Sequence, residues 1–369
     1  MSTELRPKVT FITSSMNLGG AERQLLLLCN QLKEEVVIEL ISLDALGPLL
    51  EKYQRDFPNI RIIDSSKYSK FIVIAKLREL IKKNGSDVVI TWLYKADILG
   101  GIATKLVGKT PVIWSARNSE IPKFNFAKKW MLALLSKVVP SVIVANGSPA
   151  VDFHKSIGYP LGKILKIQNL LAPWTASVTS GSTLLSGVDA STNIRIGIAA
   201  RQVSGKGILE TISALEKCSF ATELRIIGQN TGESLGWRSS GKYRNHEVQE
   251  ITDDGELSNW FKTLDIYLMS SSKWESQPNS LLEAIVIGCP VLISDKIKLD
   301  FDVPSEFTFN FSDELSLGEA LGTLTAIDIH ELNRLVNSLQ EFVLLKFSSE
   351  KIIGDWLGLI KGYTSLSDK

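Results

Sequence analysis

Three short segments of the sequence combine glycines, cations and carboxylates in a way that suits recognition of phosphates and hydroxyls. The first contains Gly19-Gly20, directly before a stretch of helical composition. The N–H groups and the dipole of a helix N-terminus favour an anion, so a phosphate could bind there. A Gly-Gly pair is also typical of an ordinary tight turn, and this segment alone leaves both interpretations open.

The second segment is a basic loop that follows a predicted strand. Arg201 and Lys206 lie on either side of a glycine in this loop. A guanidinium can contact a pyrophosphate through two hydrogen bonds, and an ammonium adds a mobile point charge. The two cations could therefore stabilise a departing diphosphate. The alternative is that both are solvated surface residues.

Two carboxylates eight residues apart mark the third segment. Glu275 precedes a Pro-Asn-Ser turn that can cap a helix, and Glu283 falls in the first turns of that predicted helix. A carboxylate there remains ionised and can accept hydrogen bonds from neighbouring hydroxyls, such as the pair on a ribose. The alternative is a capped helix with incidental acidic residues.

The elements that must position these segments alternate between strand and helix. Apolar runs that lack strict alternation, such as Val88 to Trp92, recur from Val9 to Ile167 and are separated by helical segments such as Phe126 to Val138. This pattern indicates a parallel sheet covered on both faces. The pattern stops in a Ser- and Thr-rich stretch and restarts at Ile194, with a later predicted strand over Val291 to Ser294. We predict two doubly wound α/β domains, with a cleft between the loops at the carboxyl ends of their strands.

The pattern also gives domain boundaries. We predict a first Rossmann-like domain over 1–175, a linker over 176–192 and a second Rossmann-like domain over 193–345. From about Ile327 to Tyr363 the sequence predicts consecutive helices. The last of these, over 346–369, could pack back on the first domain.

Composition and charge exclude several classes of protein. The 369 residues and the hydrophobic content of 44% exclude a short or disordered chain. A net charge of +1 gives no general attraction to nucleic acid, although residues 1–175 carry 24 basic and 14 acidic side chains and the remainder 17 and 26. The basic half could face an anionic partner, or the two halves could attract each other.

Cysteine usage and hydropathy indicate the cellular compartment in which the protein is expected. Cys29, Cys218 and Cys289 lie far apart without C-x-x-C spacing, which predicts neither a disulfide framework nor a zinc site and suits a reducing cytoplasm. We find no signal peptide at the N-terminus and no apolar stretch that reaches the roughly 20 residues needed to span a bilayer. We therefore expect a cytoplasmic protein whose contact with a membrane is peripheral.

One basic segment with interleaved aromatic residues, Lys123 to Trp130, could make such a contact. Lys and Trp favour the membrane interface. The alternative is an ordinary amphipathic helix that packs on the core.

Taken together and in this order, the motifs resemble those of the retaining glycosyltransferases of family 4, which have the GT-B fold. The resemblance covers nearly the whole chain and is carried by Gly19-Gly20-Ala21-Glu22-Arg23, Arg201 with Lys206-Gly207, Leu224 to Gly228, and Glu275 to Glu283 leading to Gly288-Cys289-Pro290-Val291. Thr91 to Gly101 and Trp114 to Ser119 also resemble a branch of this family associated with bacterial surface polysaccharides.

The resemblance implies transfer of a sugar from a UDP- or GDP-sugar with retention of configuration, without a metal ion or cofactor. The implied acceptor is a glycan, carried on a lipid at the cytoplasmic face of the membrane, and no nucleic acid is involved. Alternatives on the same scaffold are a non-catalytic nucleotide-sugar-binding protein or partner subunit and an epimerase acting on the nucleotide sugar.

The resemblance also implies roles for individual residues. Arg201 and Lys206 would hold the diphosphate and stabilise the leaving group, Glu275 would contact the donor sugar, and Glu283 would bind the ribose. Two further sets would approach the donor: the loop glycines Gly19 and Gly20, and the backbone of Ser276, Gln277, Pro278, Asn279 and Ser280.

The sequence departs from the family on the acceptor side. Many members have a histidine after a strand of the first domain. Here we predict His154 on a helix and His246 in a polar loop, and interpret both as structural or exposed histidines. Arg117, which follows the strand ending at Trp114, is the candidate for that place, and Tyr94 is a second acceptor-side candidate.

Overall fold

The computed structural model describes residues 6–17, 19–45, 47, 49–119, 126–177, 193–201, 203–228, 246–249, 254–273 and 275–367. It divides into two compact units, which we call unit 1 (Met1–Leu170 and Ser349–Lys369) and unit 2 (Leu171–Ser348). The chain thus changes unit after residue 170 and after residue 348, where the sequence analysis placed boundaries at 175 and 345. All but the first two residues of the predicted linker lie outside the described residues.

Each unit contains one parallel sheet. In unit 1 the strand order is β3-β2-β1-β4-β5-β6-β7, and in unit 2 it is β10-β9-β8-β11-β12-β13. The strands are β1 (Lys8–Thr13), β2 (Val37–Ser42), β3 (Arg61–Ile62), β4 (Val88–Trp92), β5 (Val112–Ala116), β6 (Val142–Ala145), β7 (Ile164–Lys166), β8 (Ile194–Ala199), β9 (Thr222–Ile227), β10 (His246–Gln249), β11 (Ile266–Met269), β12 (Val291–Ser294) and β13 (Thr308–Phe309).

Helices connect most of the strands, as parallel pairing requires. They are α1 (Gly20–Leu32), α2 (Leu50–Asp56), α3 (Lys70–Asn84), α4 (Tyr94–Val107), α5 (Phe126–Val138), α6 (Ser148–Ser156), α7 (Ile208–Glu216), α8 (Asp254–Phe261), α9 (Asn279–Val286), α10 (Ser316–Ala326), α11 (Ile329–Lys346) and α12 (Ser349–Ser367). The predicted doubly wound α/β architecture is confirmed in both units.

The central strands are buried on both faces, which explains their continuous apolar sequence. Every residue of β4, β5, β11 and β12 is buried. In unit 1 one core cluster joins the sheet to α3 and α4 through Ile12, Leu77 and Leu99, and a second joins it to α5 through Trp114 and Leu132. Strand order reverses between β1 and β4 and between β8 and β11, and such points are where ligands bind in open α/β sheets.

The last helix of the chain belongs to unit 1. Helix α12 contacts α1 and β4, and its buried Trp356 stacks on Trp92 with ring centroids 6.4 Å apart. The chain therefore returns to its first unit, as predicted. Within the described residues, no helix has both the length and the apolar content required to cross a membrane.

One histidine differs from its predicted setting. The sequence analysis placed His246 in a polar loop, but it is the first residue of the short strand β10. It pairs with Leu224 of β9 in parallel register. The strand was not predicted because its sequence is polar. It forms by pairing with β9 at the edge of the sheet.

Candidate functional site

Two of the predicted segments meet at the strand reversal of unit 2. The loop after β8 carries Lys206 and the loop after β11 begins at Ser270, and the two strands are paired in parallel register. The Ser270 hydroxyl donates to the carbonyl of Lys206 at 2.8 Å, and the Ser272 N–H donates to the carbonyl of Gly205 at 2.9 Å. Two hydrogen bonds to backbone carbonyls, one from a hydroxyl and one from an N–H group, therefore fix the basic loop against the segment that leads to Glu275.

Lys206 and Glu275 form an ion pair between Nζ and Oε1. The Ser271 hydroxyl donates to the same carboxylate oxygen at 3.0 Å. Both charged side chains are largely shielded from solvent. A cation and a carboxylate 69 residues apart in sequence are thus held together at the carboxyl ends of two strands, where one could contact a phosphate and the other a hydroxyl.

A glycine makes this close approach possible. Gly207 has a φ of +72°, and a Cβ atom there would lie 2.0 Å from the carbonyl oxygen of Ser270. Gly228, after β9, supports the same loop from the other side, because a Cβ there would lie 2.1 Å from the carbonyl oxygen of Ala200. Both positions belong to segments that carry the family resemblance.

Arg201 lies exposed at the start of the basic loop. Its side chain makes no hydrogen bond or ion pair with any residue that the structure describes, so its guanidinium is available to a ligand at this edge. The two basic residues thus differ: Lys206 is held by Glu275, whereas Arg201 is exposed to solvent.

Helix α9 begins at Asn279, with Pro278 at the N-cap position and no side-chain capping hydrogen bond. The predicted cap by the Pro-Asn-Ser turn is therefore wrong. The Ser280 hydroxyl instead accepts a hydrogen bond from the Tyr267 hydroxyl at 2.7 Å and lies 3.4 Å from the carbonyl oxygen of Ala199. It ties the start of the helix to β8 and β11, because these sheet partners lie within its reach.

Glu283 is buried one turn further along α9. Burial is the main cause that raises the pKa of the Tyr267 phenol, and the charges of Glu275 and Glu283 raise it further. Both carboxylates therefore act on Tyr267 through their charge. Between them lie the remaining predicted donor-side residues, Ser276, Gln277, Pro278 and Asn279, with Ser276 buried.

The glycine loop of unit 1 has a carboxylate of its own. Helix α1 begins at Gly20, and Gly19 is its N-cap residue without a side-chain cap. The Ser15 hydroxyl donates to Glu22 Oε1 at 2.6 Å, while Glu22 Oε2 lies 2.3 Å from the position that a Cβ on Gly19 would take. Gly19 therefore leaves room for the Glu22 carboxylate beside the helix N-terminus. The phosphate role of Gly19 and Gly20 stays a prediction.

Arg117 lies buried at the end of β5 with neutral partners. Its Nε donates to Ser115 Oγ at 2.6 Å and its Nη1 donates to Asn169 Oδ1 at 2.8 Å. The guanidinium lies over the Trp92 ring, 4.1 Å from the centroid, and 5.8 Å from that of Trp356. Burial lowers its pKa to about 9, so it remains charged at neutral pH. Its Nη2 is buried without a hydrogen-bond partner among the described residues.

Tyr94 and His154 form a hydrogen bond inside unit 1. The Tyr94 hydroxyl lies 2.9 Å from His154 Nε2, and His154 Nδ1 lies 2.7 Å from the carbonyl oxygen of Ala150. Since a carbonyl only accepts, Nδ1 donates and Nε2 accepts. Burial lowers the pKa of His154 to about 4. His154 is thus a buried neutral residue, and it engages the Tyr94 hydroxyl that the sequence analysis assigned to the acceptor.

Two features near these sites were not found from the sequence. Tyr267 donates to Ser280, and the charges of Glu275 and Glu283 act on it, but a Tyr in an apolar strand looks like any core residue. Leu93, between β4 and α4, has a φ of +72°, which is unusual for a bulky side chain and typical of functional loops. The Ser270-Ser271-Ser272 run at a strand end was a readable signal, since its hydroxyls hold both Lys206 and Glu275.

Two family models match the chain. The model described as Glycosyltransferase Family 4 matches residues 18–171, and the model described as Glycosyl transferases group 1 matches residues 194–321. Each match falls almost entirely within one unit.

Two curated proteins and one solved structure are also similar. A Campylobacter jejuni protein named GalNAc-alpha-(1->4)-GalNAc-alpha-(1->3)-diNAcBac-PP-undecaprenol alpha-1,4-N-acetyl-D-galactosaminyltransferase is 32% identical over 123 residues, which are 31% of this chain and 33% of that protein. This match spans a third of the relative's length. Protein CapJ of Staphylococcus aureus is 25% identical over 297 residues, which are 73% of this chain and 72% of CapJ.

The solved structure is that of HepE from Anabaena in complex with UDP and glucose. It superposes with a TM-score of 0.78 at 16% identity and covers 97% of this chain and 100% of that one. At such identity the likeness concerns the fold. The two family models and the matching fold lead to the same conclusion: the chain belongs to glycosyltransferase family 4 and has the GT-B fold.

Proposed function

We propose that the protein transfers a sugar from a nucleotide-sugar donor, UDP- or GDP-linked, to a glycan acceptor, with retention of anomeric configuration. The observation that carries the proposal is the ion pair of Lys206 and Glu275 at the strand reversal of unit 2, with Arg201 exposed in the same loop as Lys206. A cation pair for a diphosphate and a carboxylate for hydroxyls are the groups that donor recognition requires.

The chemistry follows from these groups. As the bond between the sugar and the diphosphate breaks, negative charge accumulates on the leaving diphosphate. Arg201 and Lys206 would stabilise that charge and take the place of a metal ion. Glu275 would accept a hydrogen bond from a hydroxyl of the donor sugar, and the buried Glu283 one from the ribose.

The acceptor that we propose is a lipid-linked glycan of a bacterial surface polysaccharide, met at the cytoplasmic face of the membrane. Support comes from the Campylobacter jejuni relative, whose name specifies an undecaprenol diphosphate acceptor. HepE was crystallised with UDP and glucose, which supports a UDP-sugar as the first donor to try. Arg117 would act on the acceptor side, because the hydrogen-bond partners of its buried charge are neutral among the residues that the structure describes.

The test is a thermal-shift titration with UDP, GDP and their sugars, with and without EDTA. A ligand that binds only the native state stabilises it by about 2.7 kcal/mol at a concentration of 100 times Kd. We expect one nucleotide to raise the unfolding temperature whether or not EDTA is present. Turnover with the matching donor and the anomeric configuration of the product, followed by NMR, then test transfer and retention.

Two lysine variants distinguish a specific role of Lys206 from the effect of removing any positive charge. Lys206→Ala should lower turnover by roughly two to three orders of magnitude, since it removes a charge that stabilises the leaving group. Lys217→Ala is the matched control, because Lys217 pairs with Glu314 on the exposed surface of unit 2. Equal loss in both variants, or no stabilisation by any nucleotide at millimolar concentration, would contradict the proposal. Binding without donor hydrolysis or transfer would instead support the non-catalytic alternative.

A further inference from the structure

Helix α5 exposes apolar side chains on the side that faces away from the core of unit 1. Its buried residues are Leu132, Ala133 and Ser136. The exposed fractions are 84% for Phe126, 60% for Trp130 and 70% for Val138, and two further apolar residues, Met131 and Leu134, are also exposed. We call these five exposed residues the α5 stripe.

The α5 stripe is continuous along the helix. Four of its members recur at every fourth position, from Phe126 through Trp130 and Leu134 to Val138, and so lie one above the other. At 3.6 residues per turn the stripe covers a sector of about 140°. An ordinary amphipathic helix turns polar residues to the solvent. Because α5 is apolar on both sides, packing on the core accounts for only one of them.

Positive charge accompanies the α5 stripe. The helix carries three lysines, Lys128, Lys129 and Lys137, and residues 126–151 contain no Asp or Glu. At the C-terminal end of the helix, Lys163 Nζ donates to the carbonyl oxygens of Lys137 at 2.7 Å and Pro140 at 2.8 Å. Desolvation is the main cause that lowers the pKa of Lys163, and the nearby charge of Lys105 lowers it further. The surface thus pairs apolar side chains with cations.

We propose that the α5 stripe and its flanking lysines form a docking surface for an anionic phospholipid membrane. The aromatic and aliphatic side chains enter the interface, and the lysines contact the head groups. Charge complementarity favours this partner over a second copy of the chain. In a symmetric contact between two copies the same patch meets itself, which would bring the lysines of one copy against those of the other.

This inference is independent of the proposed transfer reaction, because lipid binding requires neither a donor nor an acceptor. The experiment is co-sedimentation of the 369-residue chain with vesicles of phosphatidylglycerol and phosphatidylcholine, compared with vesicles of phosphatidylcholine alone. We expect binding to the anionic vesicles, weakened by salt because part of the attraction is electrostatic.

Two double variants probe the two components of the surface. Phe126→Ser with Trp130→Ser should lower the partition coefficient by about tenfold or more, since it removes the two exposed aromatic anchors. Lys128→Glu with Lys129→Glu should weaken binding to anionic vesicles and reduce its salt dependence. The matched control is Leu345→Ser, which removes a 79% exposed apolar side chain from α11 and should leave binding unchanged.

Three results would overturn the proposal. The first is a wild-type protein that does not bind anionic vesicles, and the second is equal binding by the aromatic double variant. The third is self-association in analytical ultracentrifugation that the aromatic variant abolishes, without vesicle binding, which would make a second copy the partner. Circular dichroism and the unfolding temperature verify that each variant is folded. Loss of transfer with intact vesicle binding would count against the proposed function alone.

Discussion

At the scale of single residues, His154 shows how burial decides protonation. Its ring lies in the interior of unit 1, where Nδ1 donates to Ala150 and Nε2 accepts from Tyr94. A proton added to Nε2 would break the hydrogen bond from the phenol and place an unpaired charge among aromatic rings. The neutral form with a proton on Nδ1 is therefore the one that the fold accommodates.

This environment predicts a pH dependence of stability. The pKa of His154 is lowered from 6.5 to about 4 in the folded state. Between these pH values His154 binds more protons in the unfolded chain than in the folded one. Its contribution to the free energy of unfolding is therefore fully present above pH 6.5 and decreases as the pH falls towards 4. The contribution of His154 should decrease by about 2 kcal/mol from pH 7 to pH 5.

Denaturant unfolding of the wild type and of His154→Gln, at pH 7 and at pH 5, measures this contribution. The glutamine variant lacks the titrating group, so its stability should change less between the two pH values. The exposed His330 provides the control, and His330→Gln should behave as the wild type does. If the wild type and His154→Gln lost equal stability on acidification, the assigned protonation state would be incorrect.

At the scale of elements, the loop between β8 and α7 depends on one glycine. Gly207 combines a φ of +72° with a backbone oxygen 2.0 Å from where a Cβ would lie. A backbone atom cannot rotate away as a flexible side chain can, so any side chain at this position must displace the loop. Because Lys206 is the preceding residue, the displacement would move the cation away from Glu275.

Gly207→Ala should therefore cost about 3 kcal/mol of stability in unit 2 and weaken nucleotide binding as well. The matched control is Gly354→Ala in α12, where a Cβ meets no atom within 4 Å and alanine should stabilise the helix by up to about 1 kcal/mol. Urea unfolding and nucleotide titration of both variants provide the measurement. An unchanged stability of Gly207→Ala would mean that the loop is not tightly positioned.

The hydropathy pattern predicts a helix or strand well where the residues of that element alone carry the whole pattern. The predicted helix over Phe126 to Val138 and the predicted strands over Val88 to Trp92 and Val291 to Ser294 have the same bounds in the structure. Burial on both faces gives a strand a continuous apolar sequence, and that sequence is readable without tertiary information.

Contacts between residues that are distant in sequence could not be predicted from local pattern. Nothing local indicates that Lys206 pairs with Glu275, or that the Ser280 hydroxyl contacts Tyr267 in the sheet and leaves the helix uncapped. For α5 the composition predicted a helix, but its apolar residues exceed what one core-facing side requires. Which of them would be exposed was decided by the packing of Leu132 and Ala133.

At the scale of the whole molecule, unit 1 is assembled from both ends of the chain. Trp356, eight residues into α12, stacks on Trp92 of β4 and lies near the Arg117 guanidinium. Ile352 and Ile360 of the same helix are also buried. The N-terminal sheet therefore lacks part of its packing until the last helix of the chain is present, so unit 1 cannot complete its folding before unit 2 has been synthesised.

Trp356→Ala tests this dependence. Removing a buried Trp costs about 3 to 5 kcal/mol, and here it also uncovers part of the stack around the charged Arg117. Hydrogen exchange followed by mass spectrometry should show faster exchange in β4 and β5 of unit 1 and unchanged exchange in β8 and β11 of unit 2. Trp130→Ala is the matched control, because the same residue type is exposed on α5 and its removal should leave exchange in β4 and β5 unaltered. Faster exchange in both units with Trp356→Ala would mean that α12 stabilises both units cooperatively. Unchanged exchange in unit 1 would contradict the prediction that α12 stabilises the core of unit 1.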